Sequence, residues 1–436
     1  MGAPHPSTTK DADRATMKKL PVSLIPLAVI AVIVALSALG SWATLTAIGL
    51  PLSKDEYNLG VWELRHFPNK WLYDIGHIGG DGSRDAQNAE VQRYLQLQQQ
   101  IDALTGELSQ ESATNASPDA IKATSQELQR TRDDRASIQV RVQAILEGRI
   151  SSIASSLGLE TTLPLFSRVH WLFPPVDFEF EDPPYVLIIS PRDRIEEDGA
   201  TLLRNDLSLE EAQRLESDAE SKSDNISALV VPTGGIGAYP AIVEPSESYL
   251  DALQVASHEW THGYLFFHPL GARYFENDTL RTINETVADI VGQEMGSDVA
   301  AAYPLSPATP APSPTSTPQP TPNAVDPDQV LRQLRLNVDS LLAQGNVAQA
   351  ESLMEQTREF LAAHGHYYRK INQAFFAFYG LYGTTGASSS PIGPKLEELR
   401  QKSASLGDFV RAAETITSEA DLDRLLAKAG ATATPP

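Results

Sequence analysis

The chain has no cysteine in 436 residues. That excludes disulfides, thiolate metal sites, iron–sulfur clusters and cysteine nucleophiles, and it leaves the compartment open. Basic side chains are scarce too: 34 Lys and Arg stand against 56 Asp and Glu, for a formal net charge of -22. A surface of that sign is a poor partner for a phosphate backbone, so no nucleic-acid partner is expected. Long uncharged apolar runs are missing as well, apart from one near the N-terminus. What is present is an apolar content of 42%, enough over this length for one large or two ordinary domains with a sizeable core.

The exception runs from Leu20 to Leu39, directly after Lys18 and Lys19, and carries no charge. About 20 such residues suffice for a helix to cross a bilayer. In the flank before it, Lys10, Arg14, Lys18 and Lys19 outnumber Asp11 and Asp13, so residues 1–19 are expected in the cytoplasm. Residues 20–50 then form a signal anchor, and the chain is a single-pass protein of the cell membrane with its main domain outside the cytoplasm. Small residues at Ala38 and Gly40, or Ser41 and Ala43, offer the alternative of a cleaved signal peptide. The apolar core of such a peptide is typically about 7 to 15 residues, which favours the retained anchor.

Residues 51–85 read as a membrane-proximal helical segment ending in a glycine-rich turn. Between 86 and 157 the pattern is that of an antiparallel helical hairpin. Tyr94, Leu97, Ile101, Leu104 and Leu108 recur at 3, 4, 3, 4, and after the break SQESATNASPD a looser seam continues through Ile121, Leu128, Ile138, Val142 and Ile145. The short seam favours a hairpin packed on its own domain over an arm that joins two copies of the chain. Residues 158–303 carry strand signals at Val176–Glu181 and Tyr185–Ser190, a helix capped at Ser208, and two strands around a glycine-rich turn in SALVVPTGGIGAYPAIVEP. Residues 304–329 are a Pro/Thr/Ser-rich linker with no means of forming a core. Residues 330–436 read as helices. The fold class is therefore α+β: a transmembrane helix, a helical hairpin, a small mixed sheet and a mostly helical remainder.

The chemistry concentrates in HEWTHGYLFFH. Tyr249 to Phe267 has helix credentials, with Ser248 and Asp251 in a capping pattern and no proline before Pro269. His258 and His262, four apart, then project from one face and can share a metal ion, with Glu259 beside them to act on water. Two residues compete to be the third ligand. His268 occupies the last position of the metzincin pattern HExxHxxGxxH, but Leu265 replaces the glycine that lets the chain turn back. If the helix continues, His268 lies about 9 Å along the axis from His262. Glu285, in INETVADIVGQEMG, is the stronger candidate. On a helix from Asn284 to Glu294 it shares a face with Asp289, so Glu285 can complete a two-histidine, one-glutamate site while Asp289 accepts the second N–H of a ligand histidine.

HExxH followed by ExxxD resembles the gluzincin metallopeptidases, over roughly Leu229 to Leu381. Within that group the chain looks most like the predicted aminopeptidases, with LRLNVDSLLAQG, AESLMEQTREFL and INQAFFAFYGLYG in the places of their C-terminal segments. The resemblance implies a zincin-like domain that binds Zn2+ through His258, His262 and Glu285, with Glu259 as general base and Asp289 behind a histidine. It also implies a hydroxyl or imidazole for the developing oxyanion, for which Tyr382 is the first candidate by position and Tyr379 and His366 follow. Gly235, Gly237 and Tyr239 fall where such enzymes place the strand that pairs with substrate backbone. A glutamate-bearing GxMEN-type motif for a substrate amine is missing, which leaves exo- and endopeptidase activity both open. The expected activity is hydrolysis of a peptide or protein substrate. The alternatives are a catalytically silent scaffold acting through its hairpin, and a metzincin-like site using His268.

Overall fold

The computed structural model describes residues 54–63, 65–66, 82–114, 116–163, 166–305 and 325–432. The expected anchor at 20–50 and most of the proline-rich linker lie outside these residues. Among those described, no helix is long and apolar enough to cross a membrane. The architecture is mixed α and β, dominated by helices, with three small sheets among the described residues.

The hairpin consists of α1 (Arg84–Ala113) and α2 (Pro118–Ser156), capped by Ser83 and Ser117. Its base is rooted in the main core, because Val91 and Tyr94 of α1 and Val142, Leu146, Ile150 and Ala154 of α2 are buried there. Polar side chains reinforce the attachment. The side-chain amide of Gln143 donates to the Phe178 carbonyl at 2.9 Å and Glu147 accepts from the Phe178 N–H at 2.9 Å. Farther out the seam loses its cover, and Leu104, Leu108 and Ile121 are only half-buried.

After the two-stranded pair β1 (Glu160–Leu163) and β2 (Phe166–Leu172) come β3 (Phe178–Phe180), β4 (Tyr185–Pro191), β5 (Gly199–Leu203), α3 (Leu209–Glu220), β6 (Ile226–Pro232), β7 (Gly235–Ile236) and β8 (Ala241–Val243). β4 is the centre of an antiparallel sheet ordered β5-β4-β6. Its apolar run is buried on both faces. Leu187 and Ile189 pack with Leu215 and Ala219 of α3, while Val186 and Ile188 face the opposite helices, which follow the linker. Residues 54–57 extend the β5 edge, with the Tyr57 N–H on the Leu202 carbonyl at 3.0 Å and the Arg204 N–H on the Asp55 carbonyl at 2.8 Å.

One expectation needs correction here. Three strands stand where two were expected around the glycine-rich turn: β6 joins β4, whereas β7 and β8 pair with each other and β8 joins β3 in a separate sheet ordered β3-β8-β7. Proline is the local reason. Pro232 ends β6 with no N–H to offer, and the Thr233 hydroxyl then donates to the Pro184 carbonyl at 2.9 Å as the chain leaves the first sheet.

Two long helices follow, α4 (Tyr249–Phe266) and α6 (Asp278–Ala302), separated by the single turn α5 (Pro269–Ala272). Only half of the expected capping pattern forms on α4: the Ser248 side chain accepts from the Asp251 N–H. α6 starts six residues before Asn284 because Asn277 caps it, its side chain accepting from Leu280 N at 2.9 Å. The pair runs antiparallel, with Gln254 beside Gly296 and His262 beside Asn284. Leu253, Ala256 and Leu265 share a buried cluster with Ile283, Val287, Val291 and Met295.

Beyond the linker, α7 (Pro327–Ala343), α8 (Val347–Ala363) and α9 (Gln373–Tyr379) cover the β5-β4-β6 sheet. Asp326 caps α7, so residues 327–329 are already helical rather than linker. Three further helices follow among the described residues: α10 (Ile392–Lys402), α11 (Leu406–Ala413) and α12 (Glu419–Thr432).

Candidate metal centre

Helical spacing brings His258 and His262 onto one face of α4, and the antiparallel packing of α6 lays Glu285 across them. The two imidazole Nε2 atoms are 3.0 Å apart, and Glu285 Oε2 is 3.7 Å from the first and 3.4 Å from the second. The donor atoms of the three residues all lie within 4.8 Å of one another, a group that could hold a metal ion. Donors about 2.0–2.2 Å from one tetrahedral ion stand about 3.3–3.5 Å apart. The observed separations bracket that range, so the residues fit.

Each imidazole is held by its other nitrogen. His262 Nδ1 lies 2.8 Å from Asn284 Oδ1 and His258 Nδ1 lies 3.4 Å from Asp289 Oδ1. An oxygen acceptor at Nδ1 fixes the proton there and leaves the Nε2 lone pair facing inward. The second oxygen of Asp289 accepts from the Thr384 hydroxyl at 2.8 Å, and one residue earlier Gly383 N donates to Thr286 Oγ1 at 3.0 Å. These two bonds pin the loop of Tyr382 to α6. The Tyr382 ring lies 6.3 Å from that of His258.

Glu259 is buried on the same turn. Above it runs β7, close enough that a Cβ on Gly235 would come 2.4 Å from Glu259 Oε1, and one on Gly237 would come 2.9 Å from His262 Cβ. Only glycine permits this approach. Tyr239 stands farther along, its N–H 3.4 Å from Oε1 of the buried Glu63. The helices themselves touch just as closely, since a Cβ on Gly292 would come 2.9 Å from His258 Cβ and one on Gly296 2.7 Å from Gln254 Cγ.

The electrostatics are those of a cation site. Burial alone lowers the proton affinity of His258, but its contacts with Asp289 and Glu285 outweigh that and push its pKa up to about 10. His262 is raised by Glu285 against the same burial. Burial also opposes the charge of Glu285, yet the two imidazoles hold it well below the usual carboxylate range. Burial raises Glu259, partly offset by His258 and His262. Two imidazoles among three acids, Glu259, Glu285 and Asp289, form a buried group whose negative charge calls for a cation, a proton or a metal.

The structure thus brings together His258, His262, Glu259, Glu285, Asp289, Tyr382, Gly235 and Gly237. The others stand elsewhere. His268 is beyond the end of α4, with Nδ1 3.6 Å from Glu414 Oε2. Tyr379 packs on Phe375 with ring centroids 4.7 Å apart, and His366 Nε2 contacts the Val325 carbonyl at 3.2 Å. Tyr274 and Asn284 went unnoticed in the sequence. Asn284 adjoins Glu285 and a search for oxygen acceptors around the ligands would find it, whereas Tyr274, whose hydroxyl donates to Glu285 Oε1 at 2.5 Å, sits in an irregular link that no periodicity marks. No protein-family model matches the chain, nor does any curated protein or solved structure compared with it.

Proposed function

We propose that the protein is a zinc-dependent metallopeptidase on a zincin-like fold of the gluzincin kind, held outside the cytoplasm by the anchor at residues 20–50. One observation carries this reading: His258, His262 and Glu285 converge while Glu259 is buried beside them on the same helix. Two neutral imidazoles and one carboxylate suit Zn2+ and leave a position free for catalysis. When bound, the ion supplies Lewis acidity, polarising a carbonyl oxygen and making a neighbouring water easier to deprotonate.

The chain's own residues supply the rest. β7 is the outer strand of its sheet, so its backbone groups are placed to pair with an extended peptide and lay it along the Gly235–Gly237 side of the cleft. The Glu259 carboxylate takes a proton from the attacking water and delivers it to the amine as the C–N bond breaks. Burial raises its proton affinity towards that task. The Tyr382 hydroxyl donates to the carbonyl oxygen as negative charge grows there. The surrounding carboxylates favour that role, because burial, then Glu285, Glu259 and Asp289, push its pKa well above 10 and keep the proton on the phenol.

Glu259→Gln tests this. Wild-type protein with a full complement of zinc should cleave members of an unbiased peptide library. The variant should keep its zinc and lose at least about a hundredfold in rate. Equal cleavage by both would remove Glu259 from the reaction, and stoichiometric zinc with no cleavage by either would replace the enzyme with a metal-binding scaffold.

A further inference from the structure

Glu285 has two carboxylate oxygens, and only Oε2 faces both imidazoles. Oε1 accepts the hydroxyl of Tyr274 at 2.5 Å, the length of a strong hydrogen bond to an ionised oxygen. Tyr274 lies in the link between α5 and α6, and its ring meets that of His262 edge-on at 6.2 Å. Arg281, one helical turn before Glu285, lays its guanidinium over the Tyr274 ring at 5.8 Å. The same guanidinium donates to Glu197 Oε1 at 2.5 Å. Glu197 comes from the loop joining β4 to β5, and both side chains are largely covered, at 15% and 11% exposure. A continuous chain of contacts therefore runs from the central sheet through Glu197, Arg281 and Tyr274 to one oxygen of Glu285.

We propose that Tyr274, clamped by Arg281 and Glu197, is the positioning residue that occupies one oxygen of Glu285 and presents only the other to the metal. The inference rests on the metal centre described above, and it concerns a group outside the ligand set. A free carboxylate can bind a divalent ion through one oxygen or two. With Oε1 taken by the phenol, the second mode is closed, the ion keeps three protein donors, and its fourth position stays open for water or substrate. The clamp matters because a lone phenol on a connecting link could rotate away. The guanidinium plane over the ring and its charge-assisted bond to Glu197 hold the ring against α6.

Tyr274→Phe keeps the ring and removes the hydroxyl. Zinc affinity, read by competition with a chromophoric chelator, should weaken about 10- to 100-fold. The cobalt(II)-substituted variant should lose visible absorption intensity as the freed oxygen adds to the ion and raises its coordination number. Removing a buried hydrogen bond costs some stability whatever its role, so the cobalt spectrum is the readout that a purely structural role would not move. Arg281→Lys preserves the charge but not the planar fork, and should weaken zinc several-fold, giving a second measurement should Tyr274→Phe misfold. Glu285→Ala is the reference. If it retains zinc, the metal centre itself is misread; if it loses zinc while Tyr274→Phe and Arg281→Lys keep wild-type affinity and cobalt spectrum, the clamp is overturned.

Discussion

Helix α4 carries a histidine environment along its middle and another just past its end, and the two draw on the same residue types. At the far end His268 stacks on Tyr264 with ring centroids 4.5 Å apart and lies 3.6 Å from Glu414, to which the Tyr264 hydroxyl donates at 2.6 Å. In the middle are again histidine, glutamate and tyrosine. The difference is convergence. Around His262 a second imidazole and a carboxylate aim lone pairs at one point, whereas at His268 a single imidazole shares its carboxylate with a phenol. Glu414 also accepts the Leu270 N–H through its backbone at 3.1 Å, so that end of the helix is a joint between α4 and α11. Residue types are shared by the two places, and the number of imidazoles and the direction of the donors separate the group that could hold an ion from the one that joins two helices.

The comparison can be broken most directly by removing one acid or one histidine. Glu285→Ala should empty the protein of zinc in elemental analysis, while His268→Ala should leave the metal content at wild type and cost about 1 kcal/mol of stability through lost packing and the lost polar contact. Zinc surviving the first change, or vanishing with the second, would exchange the roles of the two ends.

A smaller effect separates them by pH. In the metal-free protein the pKa of His258 is raised to about 10 and that of His262 is also raised. Protonation of these imidazoles therefore stabilises the metal-free fold fully below about pH 6.5, and the contribution fades as pH climbs towards 10. Metal affinity runs the other way, because each ion must displace those protons: it should rise with pH by up to about tenfold per unit for each proton released. Calorimetric titration in buffers of different ionisation enthalpy should detect that release, in wild type and His268→Ala alike; affinity flat from pH 6 to 8 would contradict it. Smaller still is Gly235→Ala, which sets a methyl group 2.4 Å from Glu259 Oε1. It should lower kcat/KM for peptide cleavage by several-fold up to about tenfold while leaving the zinc content intact.

How much of this could be read from the chain itself follows the range of the contacts. The His258–His262 pair and the Glu285–Asp289 pair are set by helical spacing, a local property, and they were legible. So was the exclusion of His268, since Leu265 continues α4 instead of turning it. Contacts that join distant segments were not legible. β6 pairs with β4 and β8 pairs with β3, both far back along the chain, and these partners put β6 and β8 in different sheets, which no period within SALVVPTGGIGAYPAIVEP records. β5 gives no signal, because GATLL is too short and too mixed to alternate clearly. The loop of Tyr382 is fixed by Thr384 on Asp289, 95 residues away in sequence. Position alone suggested Tyr382, but the same reasoning offered Tyr379 and His366, which pack elsewhere. Tyr274 gave no signal, because its role depends on the angle at which one short link crosses two helices.

Gly292 and Gly296 carry a consequence for the spacing of the two helices. Where those two residues face His258 and Gln254, a Cβ at either would come 2.8 Å from the Gln254 main chain, so the gap between the helices leaves no room for a side chain. The distance from α4 to α6 acts as a fixed gauge. Neither glycine belongs to the donor group, yet a methyl group at either would have to push α4 away from α6, and with it the two imidazoles away from Glu285.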